Sequence, residues 1–181
     1  MLTKNKDNIN IVSRKYDLFL DAKTTLKDSD KSVLILNVCN NMNTFGAGFN
    51  KDIAKQFPLV KENYHLIGPS KLKNLLGYTQ FIKADTNPTY KNNIVVANLI
   101  CQSGIISSTN PRPLNYSYFS NCLVKVNQYI TEYNKANETK IQVYSPKFNA
   151  GVLGANWLFL KELMIDTIKK PTYIQVYESY S

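Results

Sequence analysis

The sequence predicts an α/β protein in which helices pack on the faces of a mixed, mostly parallel sheet. Strand-like and helix-like segments alternate, the run Val33–Val38 is apolar throughout as in a strand buried on both faces, and glycine-containing loops follow two of the strands. The 181 residues are 44% hydrophobic without a break in composition, which is enough for one buried core. We therefore expect a single domain over 1–181, with its core at about 9–177.

Each element follows from its local pattern. Short apolar runs bounded by turn residues predict strands, and apolar residues at helical spacing predict helices. Pro58 breaks the first helical segment, because proline lacks the N–H group that a helix interior needs. The polar stretches 1–8, 21–32 and 134–140 are interpreted as a terminus and surface connections. The predicted strands are Ile9–Ser13, Val33–Val38, Gly77–Ala84 and Ile94–Cys101 (a neighbouring pair), Ile141–Tyr144 and Tyr173–Tyr177, and the predicted helices are Ala47–Leu66, Pro111–Ala136 and Asn156–Ile168.

The composition argues against a membrane protein and against a metalloprotein. No apolar run has the length of a membrane span, and the first residues lack the apolar core of a signal peptide, so we expect a cytoplasmic protein. Cys39, Cys101 and Cys122 do not have metal-ligand spacing, and the chain contains one histidine. We expect three reduced thiols, no metal and no other cofactor.

The net charge of +9 favours an acidic partner such as a nucleic acid, a nucleotide or an ADP-ribosylated surface. Almost all of the positive charge is lysine spread evenly along the chain, and the only arginines are Arg14 and Arg112. A nucleic-acid-reading surface would cluster its charge and would use arginine at base edges. The charge therefore indicates a solvated basic surface more than a sequence-reading one.

Two glycine-punctuated segments, Asn37–Gly48 and Ser145–Trp157, carry the strongest functional signal. Each follows an apolar strand and leads into a helix, which is where open α/β sheets bind ligands. Glycines at this place let backbone N–H groups approach a phosphate at a helix N-terminus. Two such loops predict a ligand with two phosphates. The alternative is that the glycines only form tight turns, as a short Gly-x-Gly often does.

Four motifs follow one another along the chain: Asn37-x-x-Asn40 with Phe45-Gly-Ala-Gly-Phe49, then Ala54-Lys-Gln-Phe-Pro58, then Val96–Gln102, and finally Pro146–Trp157. Together they resemble the macro domain. The similarity is greatest to the branch that contains ADP-ribose 1''-phosphate phosphatases, terminal ADP-ribose protein glycohydrolase and the antitoxin that removes ADP-ribose from DNA. It extends from Ile9 to about Tyr177 and implies a three-layer α/β/α sandwich with a cleft for ADP-ribose.

The resemblance implies that both glycine loops enclose the diphosphate and that Asn40 faces the distal ribose. Asp17 is the best match for the aspartate that holds the adenine amino group. Tyr116, near a helix start, is a further candidate that would cover the ligand, with packing against the sheet as the alternative. The expected ligand-binding residues are Asp17, Gly46, Ala47, Gly48, Phe49, Tyr116, Asn149, Ala150, Gly151, Val152, Leu153 and Gly154.

Lys83 and Asn40 are the catalytic candidates. Counted from Gly77, Lys83 matches the lysine that the glycohydrolase and the DNA-directed antitoxin use near the distal ribose. A lysine amine can attack the sugar C1'' or stabilise a developing oxyanion, and the alternative is a solvated lysine at a strand end. Leu153 occupies the position of the glycohydrolase's catalytic aspartate, and His65 matches no catalytic position, so we expect a surface or capping role for this histidine.

Three functions remain open at this point. The first is hydrolysis of ADP-ribosyl linkages on protein or nucleic acid by Lys83 and Asn40. The second is dephosphorylation of ADP-ribose 1''-phosphate, for which no histidine or aspartate follows Val33–Val38. The third is binding of ADP-ribose or a related nucleotide signal without turnover. The expected partner in all three is ADP-ribose, free or attached to protein or nucleic acid, bound by a monomer away from any membrane.

Overall fold

Six strands form one mixed sheet in the structure, a computed structural model that describes residues 7–28, 30–85, 93–148 and 150–178. They are β1 (Ile9–Val12), β2 (Ser32–Asn40), β3 (Tyr78–Lys83), β4 (Ile94–Gln102), β5 (Ile141–Pro146) and β6 (Ile174–Tyr177). Their order across the sheet is β1-β6-β5-β2-β4-β3. All neighbouring strands run parallel except β3, which runs antiparallel to β4.

Helices cover both faces of this sheet. They are α1 (Leu18–Asp28), α2 (Gly48–Gln56), α3 (Pro58–Leu66), α4 (Pro69–Leu72), α5 (Tyr116–Ala136) and α6 (Trp157–Thr167). Buried residues of α1 to α4 belong to one apolar cluster, and those of α5 and α6 belong to a second. The predicted three-layer α/β/α sandwich is therefore confirmed.

Strand β2 lies at the centre and divides the two clusters. All nine of its residues are buried, and it pairs with β5 on one side and with β4 on the other. Val33, Ile35 and Cys39 pack toward α1 to α4, whereas Leu34 and Leu36 pack toward α5 and α6. This alternation follows from the period of two in a strand and explains the continuous apolar run in the sequence.

The predicted strands and the break at Pro58 are confirmed within a few residues, but two expectations about helices are wrong. The stretch 21–32 is not only a surface connection, because α1 occupies most of it. Leu18, Ala22 and Leu26 recur every four residues and are buried, and the polar residues between them hide this apolar stripe in the composition. The long helix starts at Tyr116 rather than at Pro111, and Asn115 caps it by accepting the Tyr118 N–H at 3.1 Å.

The antiparallel strand β3 has a consequence for function. The parallel strands all present their carboxyl ends at one edge of the sheet, where loops lead into helices. The carboxyl end of β3 lies at the other edge, because Lys83 pairs with Val95 near the start of β4 and Tyr78 pairs with Ile100 near its end. Residues at the end of β3 are thus separated from the edge where α/β sheets bind ligands.

Three further features complete the description of the fold. Cys39, Cys101 and Cys122 are free and buried, in β2, β4 and α5. The described residues contain no group of three or more potential metal-ligating side chains. No described helix has the length and hydropathy needed to cross a membrane.

Candidate ligand-binding cleft

A cavity of about 460 Å³ opens at the carboxyl edge of the parallel strands. Its walls come from the ends of β2 and β4, the loop entering α2, and the loops that follow β4 and β5. The lining is mostly apolar, with a few amides and one hydroxyl, as is typical of small-molecule sites. The described lining residues are Asn37, Val38, Asn40, Thr44, Gly46, Ala47, Gly48, Phe49, Asn50, Gln102, Ile105, Ile106, Pro146, Phe148, Val152 and Leu153.

The first glycine loop forms one wall and leads directly into α2. Gly46, Ala47, Gly48 and Phe49 all line the cavity. Gly48 has a φ of 53°, a left-handed conformation that favours glycine. The N-cap residue of α2 is Ala47, which offers the helix start no side-chain hydrogen bond. The positive end of the helix dipole therefore faces the cavity, where an anion is stabilised.

Asn50 fastens the start of α2 to the end of β2. Its Nδ2 donates to the Val38 carbonyl at 3.2 Å, and the Cys39 thiol donates to its Oδ1 at 3.7 Å. Phe49 stacks on Phe19 of α1 with ring centroids 5.5 Å apart. The glycine loop is thus held on rigid elements on both sides, which fixes the direction of its backbone N–H groups.

The hydrogen-bonding groups of the Asn40 side chain are occupied by its own loop and by Tyr64 of α3. Its Nδ2 donates to the hydroxyl of Thr44 at 2.6 Å and to the carbonyl of Thr44 at 3.1 Å, and its Oδ1 accepts the Met42 N–H at 2.9 Å. Tyr64 donates to the Asn40 carbonyl at 2.8 Å and to Oδ1 at 2.9 Å. Asn40 lines the cavity, but these contacts make it the organiser of the loop at 40–44 and leave both of its amide hydrogens occupied.

Tyr64 donates its hydroxyl hydrogen to Asn40. It is fully buried, and burial, followed by the proximity of Cys39, raises the pKa of its hydroxyl well above the ordinary value. The phenol therefore stays protonated throughout the neutral range. Its position beneath the cavity wall makes it a support for Asn40 and gives it no acid or base role at neutral pH.

The second glycine loop contributes less than predicted. Of its described residues, Pro146, Phe148, Val152 and Leu153 line the cavity, whereas Ala150, Gly151 and Gly154 do not, so the structure gives no support to a cradle formed by these three. Gly154 instead serves packing: a Cβ atom there would lie 2.6 Å from Arg112 Cγ and 2.7 Å from the Pro111 carbonyl. Asn149 lies outside the described residues.

The structure does not bring Lys83 and Asn40 together, so it gives no support to their predicted joint action. Lys83 pairs with Val95, whereas Asn40 pairs with Gln102. Their partners Val95 and Gln102 are seven residues apart in β4, a distance of about 23 Å along the strand at ~3.3 Å per residue. Lys83 lies exposed beside a separate hollow of about 280 Å³. The physical reason is the antiparallel direction of β3, which places its end at the opposite edge of the sheet.

Asp17 and Tyr116 also lie outside the cavity lining. Asp17 is exposed, and its carboxylate accepts the Leu20 N–H at 2.8 Å, which caps α1. The Tyr116 oxygen accepts the Asn156 N–H at 2.9 Å, and its ring contacts Phe159 edge-on at 4.6 Å. Tyr116 therefore joins α5 to α6, which corresponds to the packing alternative.

His65 is half-buried and lies behind the loop at 40–44. Its Nδ1 is 2.8 Å from the Asn43 Oδ1, and Asn43 has a left-handed φ of 58°. The histidine does not line the cavity. Its structural role agrees with the expectation that it caps local structure.

Sequence reasoning missed several residues at the cleft. Gln102 closes β4 directly beside Asn40, at an irregularity in the β2–β4 register, and lines the cavity. Asn41 joins the same two strands: its N–H donates to the Gln102 carbonyl at 3.1 Å, and its Oδ1 accepts the Gly104 N–H at 2.9 Å. Ile105 and Ile106 line the cavity and are about half exposed. The signal for Gln102 was its position at the end of a predicted buried strand.

The described side chains that line the cleft are uncharged. None of the described lining residues carries an ionisable group, and their polar members are asparagine, threonine and glutamine. The net charge of +9 is therefore located elsewhere on the chain. A bound anion would be held by backbone dipoles and amides within the cleft.

Comparison with known proteins gives a consistent result, although no protein-family model matches the sequence. The sequence is 27% identical over 146 residues to an ADP-ribose 1''-phosphate phosphatase from Candida albicans, covering 79% of this chain and 84% of that protein. A macrodomain protein from Streptomyces coelicolor is similar in fold, with a TM-score of 0.68, 21% identity, and coverage of 94% of this chain and 98% of that one. Thermosipho africanus DarTG in complex with ADP-ribose has a TM-score of 0.63 and 17% identity, covering 98% of this chain and 42% of that one. The resemblance predicted from the sequence is confirmed at the level of the fold.

Proposed function

We propose that this chain, which has the macrodomain fold, binds ADP-ribose in the cleft at the carboxyl edge of its sheet. The observation that carries the proposal is the loop Gly46–Gly48, which lines the cavity and leads into α2 without a side-chain cap from its N-cap residue. Such a helix start favours a phosphate group through its N–H groups and its dipole. The similarity to a structure solved with ADP-ribose supports the choice of ligand.

The arrangement of the ligand follows from the chemistry of the walls. The diphosphate lies at the backbone of the loop Gly46–Gly48. The apolar wall formed by Val38, Phe49 and the half-exposed Ile105 accepts the less polar parts of the ligand. A volume of about 460 Å³ lies within the range of sites for ligands of this size.

The described part of the cleft supports binding more directly than turnover. No described lining residue is an acid, a base, an amine or a thiol, and the amide of Asn40 is occupied by its own loop. Hydrolysis of ADP-ribosyl linkages therefore stays a prediction that needs its own assay. Any water attacking a bound ligand would be positioned by backbone groups and amides.

A second candidate function is dephosphorylation of ADP-ribose 1''-phosphate. The observation that favours it is the 27% identity to the Candida albicans phosphatase over 146 residues. Incubation with ADP-ribose 1''-phosphate and measurement of released phosphate tests it. Release that is lost together with ADP-ribose binding would support this function, and no release by a protein that binds ADP-ribose would exclude it.

Calorimetric titration with ADP-ribose tests the binding proposal. Gly46→Glu places a carboxylate at the cradle, and its Cβ meets no atom within 4 Å, so the fold should tolerate it. Gly151→Glu is the matched control, because its Cβ also meets no atom within 4 Å and Gly151 does not line the cavity. We expect Gly46→Glu to lower the affinity at least a hundredfold and Gly151→Glu to change it less than threefold, in keeping with charge repulsion at close range.

Two results would contradict the proposal. One is the absence of any titration heat and of any thermal shift with the unchanged protein at millimolar ADP-ribose. The other is equal loss of affinity in the two variants, which would mean that the carboxylate acts through the overall charge and not through the cradle. Melting temperatures of both variants, measured without ligand, check that the fold is retained.

A further inference from the structure

A row of amide side chains crosses three neighbouring strands beside the cleft. Asn37 of β2 pairs in register with Asn98 of β4, and Asn98 pairs in register with Gln80 of β3. Asn37 and Asn98 are almost completely buried, whereas Gln80 is half-buried. The three amides hydrogen-bond to one another, and the row ends at the backbone carbonyl of Asn63 in α3.

The direction of these hydrogen bonds is fixed from the Asn63 end. A backbone carbonyl can only accept, so Gln80 uses its Nε2 to donate to Asn63 at 3.1 Å. The Gln80 Oε1 then accepts from Asn98 Nδ2 at 3.1 Å, and the Asn98 Oδ1 accepts from Asn37 Nδ2 at 2.9 Å. We call this series of hydrogen-bonded groups the amide relay; it consists of the Asn63 carbonyl and the side chains of Gln80, Asn98 and Asn37.

The relay leaves one acceptor without a partner. The Oδ1 of Asn37 is buried and accepts no hydrogen bond from the described residues, although Asn37 lines the cleft. The Asn37 Nδ2 also donates to Cys39 Sγ at 3.3 Å, and because this thiol gives its own hydrogen to Asn50, the contact favours the same direction as the relay. Buried polar atoms are nearly always hydrogen-bonded in native proteins, which points to a donor that is supplied from the cleft.

We propose that Gln80 and Asn98 are positioning residues that hold Asn37 with its Oδ1 as an acceptor for a hydrogen-bond-donating group of the ligand. The inference rests on the proposed function, in which the cleft holds ADP-ribose. Ribose hydroxyls can donate a hydrogen bond, whereas ionised phosphate oxygens can only accept. The relay therefore favours a donor such as a sugar hydroxyl at this wall and disfavours a phosphate group there.

Replacing Gln80 can either keep or reverse the direction of the relay. Gln80→Glu still accepts from Asn98 Nδ2, so Asn98 and Asn37 keep their orientation. Gln80→Lys can only donate, to the Asn63 carbonyl and to Asn98, which turns the Asn98 Oδ1 toward residue 80. Asn98 then presents its Nδ2 to Asn37, and Asn37 turns its own Nδ2 toward the cleft. Because Gln80 is half-buried, both charged side chains have access to solvent.

Comparing the two variants distinguishes an effect of the relay on ligand affinity from an effect of overall charge. We expect Gln80→Lys to lower ADP-ribose affinity about tenfold, the value of one hydrogen bond, and Gln80→Glu to change it less than threefold. An anionic ligand attracted by overall charge would show the opposite order, with the lysine variant binding better. In an Asn37→Leu background the two Gln80 variants should bind equally, because the relay acts through Asn37. A difference that persists in that background would overturn the proposal.

The side-chain amide signals in ¹H–¹⁵N spectra test the relay without any ligand. Asn37→Leu and Asn98→Leu assign the two signals by their disappearance. We expect Gln80→Lys to shift the Asn37 signal and Gln80→Glu to leave it in place. If Gln80→Lys leaves the Asn37 signal at its original position, the relay is refuted even if ADP-ribose binds. If the spectra respond as expected but ADP-ribose does not bind, the relay stands and the proposed function fails.

Discussion

Removing the hydroxyl of Tyr64 tests how the wall of the cleft is held. In Tyr64→Phe, the Asn40 carbonyl and Oδ1 both lose the donor that lies at 2.8 and 2.9 Å, while Oδ1 keeps the Met42 N–H. An unsatisfied buried acceptor costs about 1–3 kcal/mol, so we take ~2 kcal/mol as the expected loss. For a chain of 181 residues this corresponds to a decrease of about 4–8 °C in Tm.

The loss should also weaken ligand binding, because Asn40 organises the loop at 40–44. We expect a several-fold lower affinity for ADP-ribose by calorimetric titration, alongside the lower Tm by differential scanning calorimetry. Tyr144→Phe is the matched control: Tyr144 is also buried and bonds to Thr25 outside the cleft. An unchanged Tm in Tyr64→Phe, or an equal loss of affinity in the control, would refute the reasoning.

Three further predictions follow from the packing and from the ionisable groups. Gly154→Ala should cost about 2–4 kcal/mol in urea unfolding, since its Cβ would lie 2.6 Å from Arg112 and φ is 71°, while Gly151→Ala should be nearly neutral. Lys83→Ala should leave ADP-ribose affinity within about twofold, because Lys83 lies at the other edge of the sheet; a tenfold loss would contradict that placement. Burial raises the pKa of the Tyr64 hydroxyl above its value in the unfolded chain. The contribution of this group to stability is therefore fully present below about pH 10 and declines at higher pH, where the unfolded chain ionises first. In Tyr64→Phe the free energy of unfolding should therefore fall less steeply with pH in the alkaline range.

The sheet and the first glycine loop were predictable because their signals are local. Val33–Val38 is apolar without interruption, and Gly46-Ala-Gly48 directly precedes a helical pattern. The placement of Lys83 was not predictable, since it depends on the direction in which β3 pairs with β4. The alternation of residues along a strand shows which side chains share a face of the sheet, but it does not show whether the strand pairs in the parallel or the antiparallel direction.

The contacts of amide side chains were equally beyond the sequence. Asn40 was expected to face a ligand, but its partners Thr44 and Tyr64 are set by the path of the loop and by the packing of α3. Gln102 enters the cleft through an irregularity in strand register that no composition rule indicates. It is therefore easier to locate polar residues at the carboxyl edge from the sequence than to assign roles to them.

The separation of charge from the cleft has a kinetic consequence. The chain carries a net charge of +9, yet no described residue lining the cavity is ionisable. Diffuse surface charge attracts an anion from a distance and is screened by salt, whereas contacts to backbone dipoles at short range are screened much less. Added salt should therefore slow the arrival of ADP-ribose while leaving the lifetime of the complex nearly unchanged, so that attraction and retention are performed by different parts of the molecule.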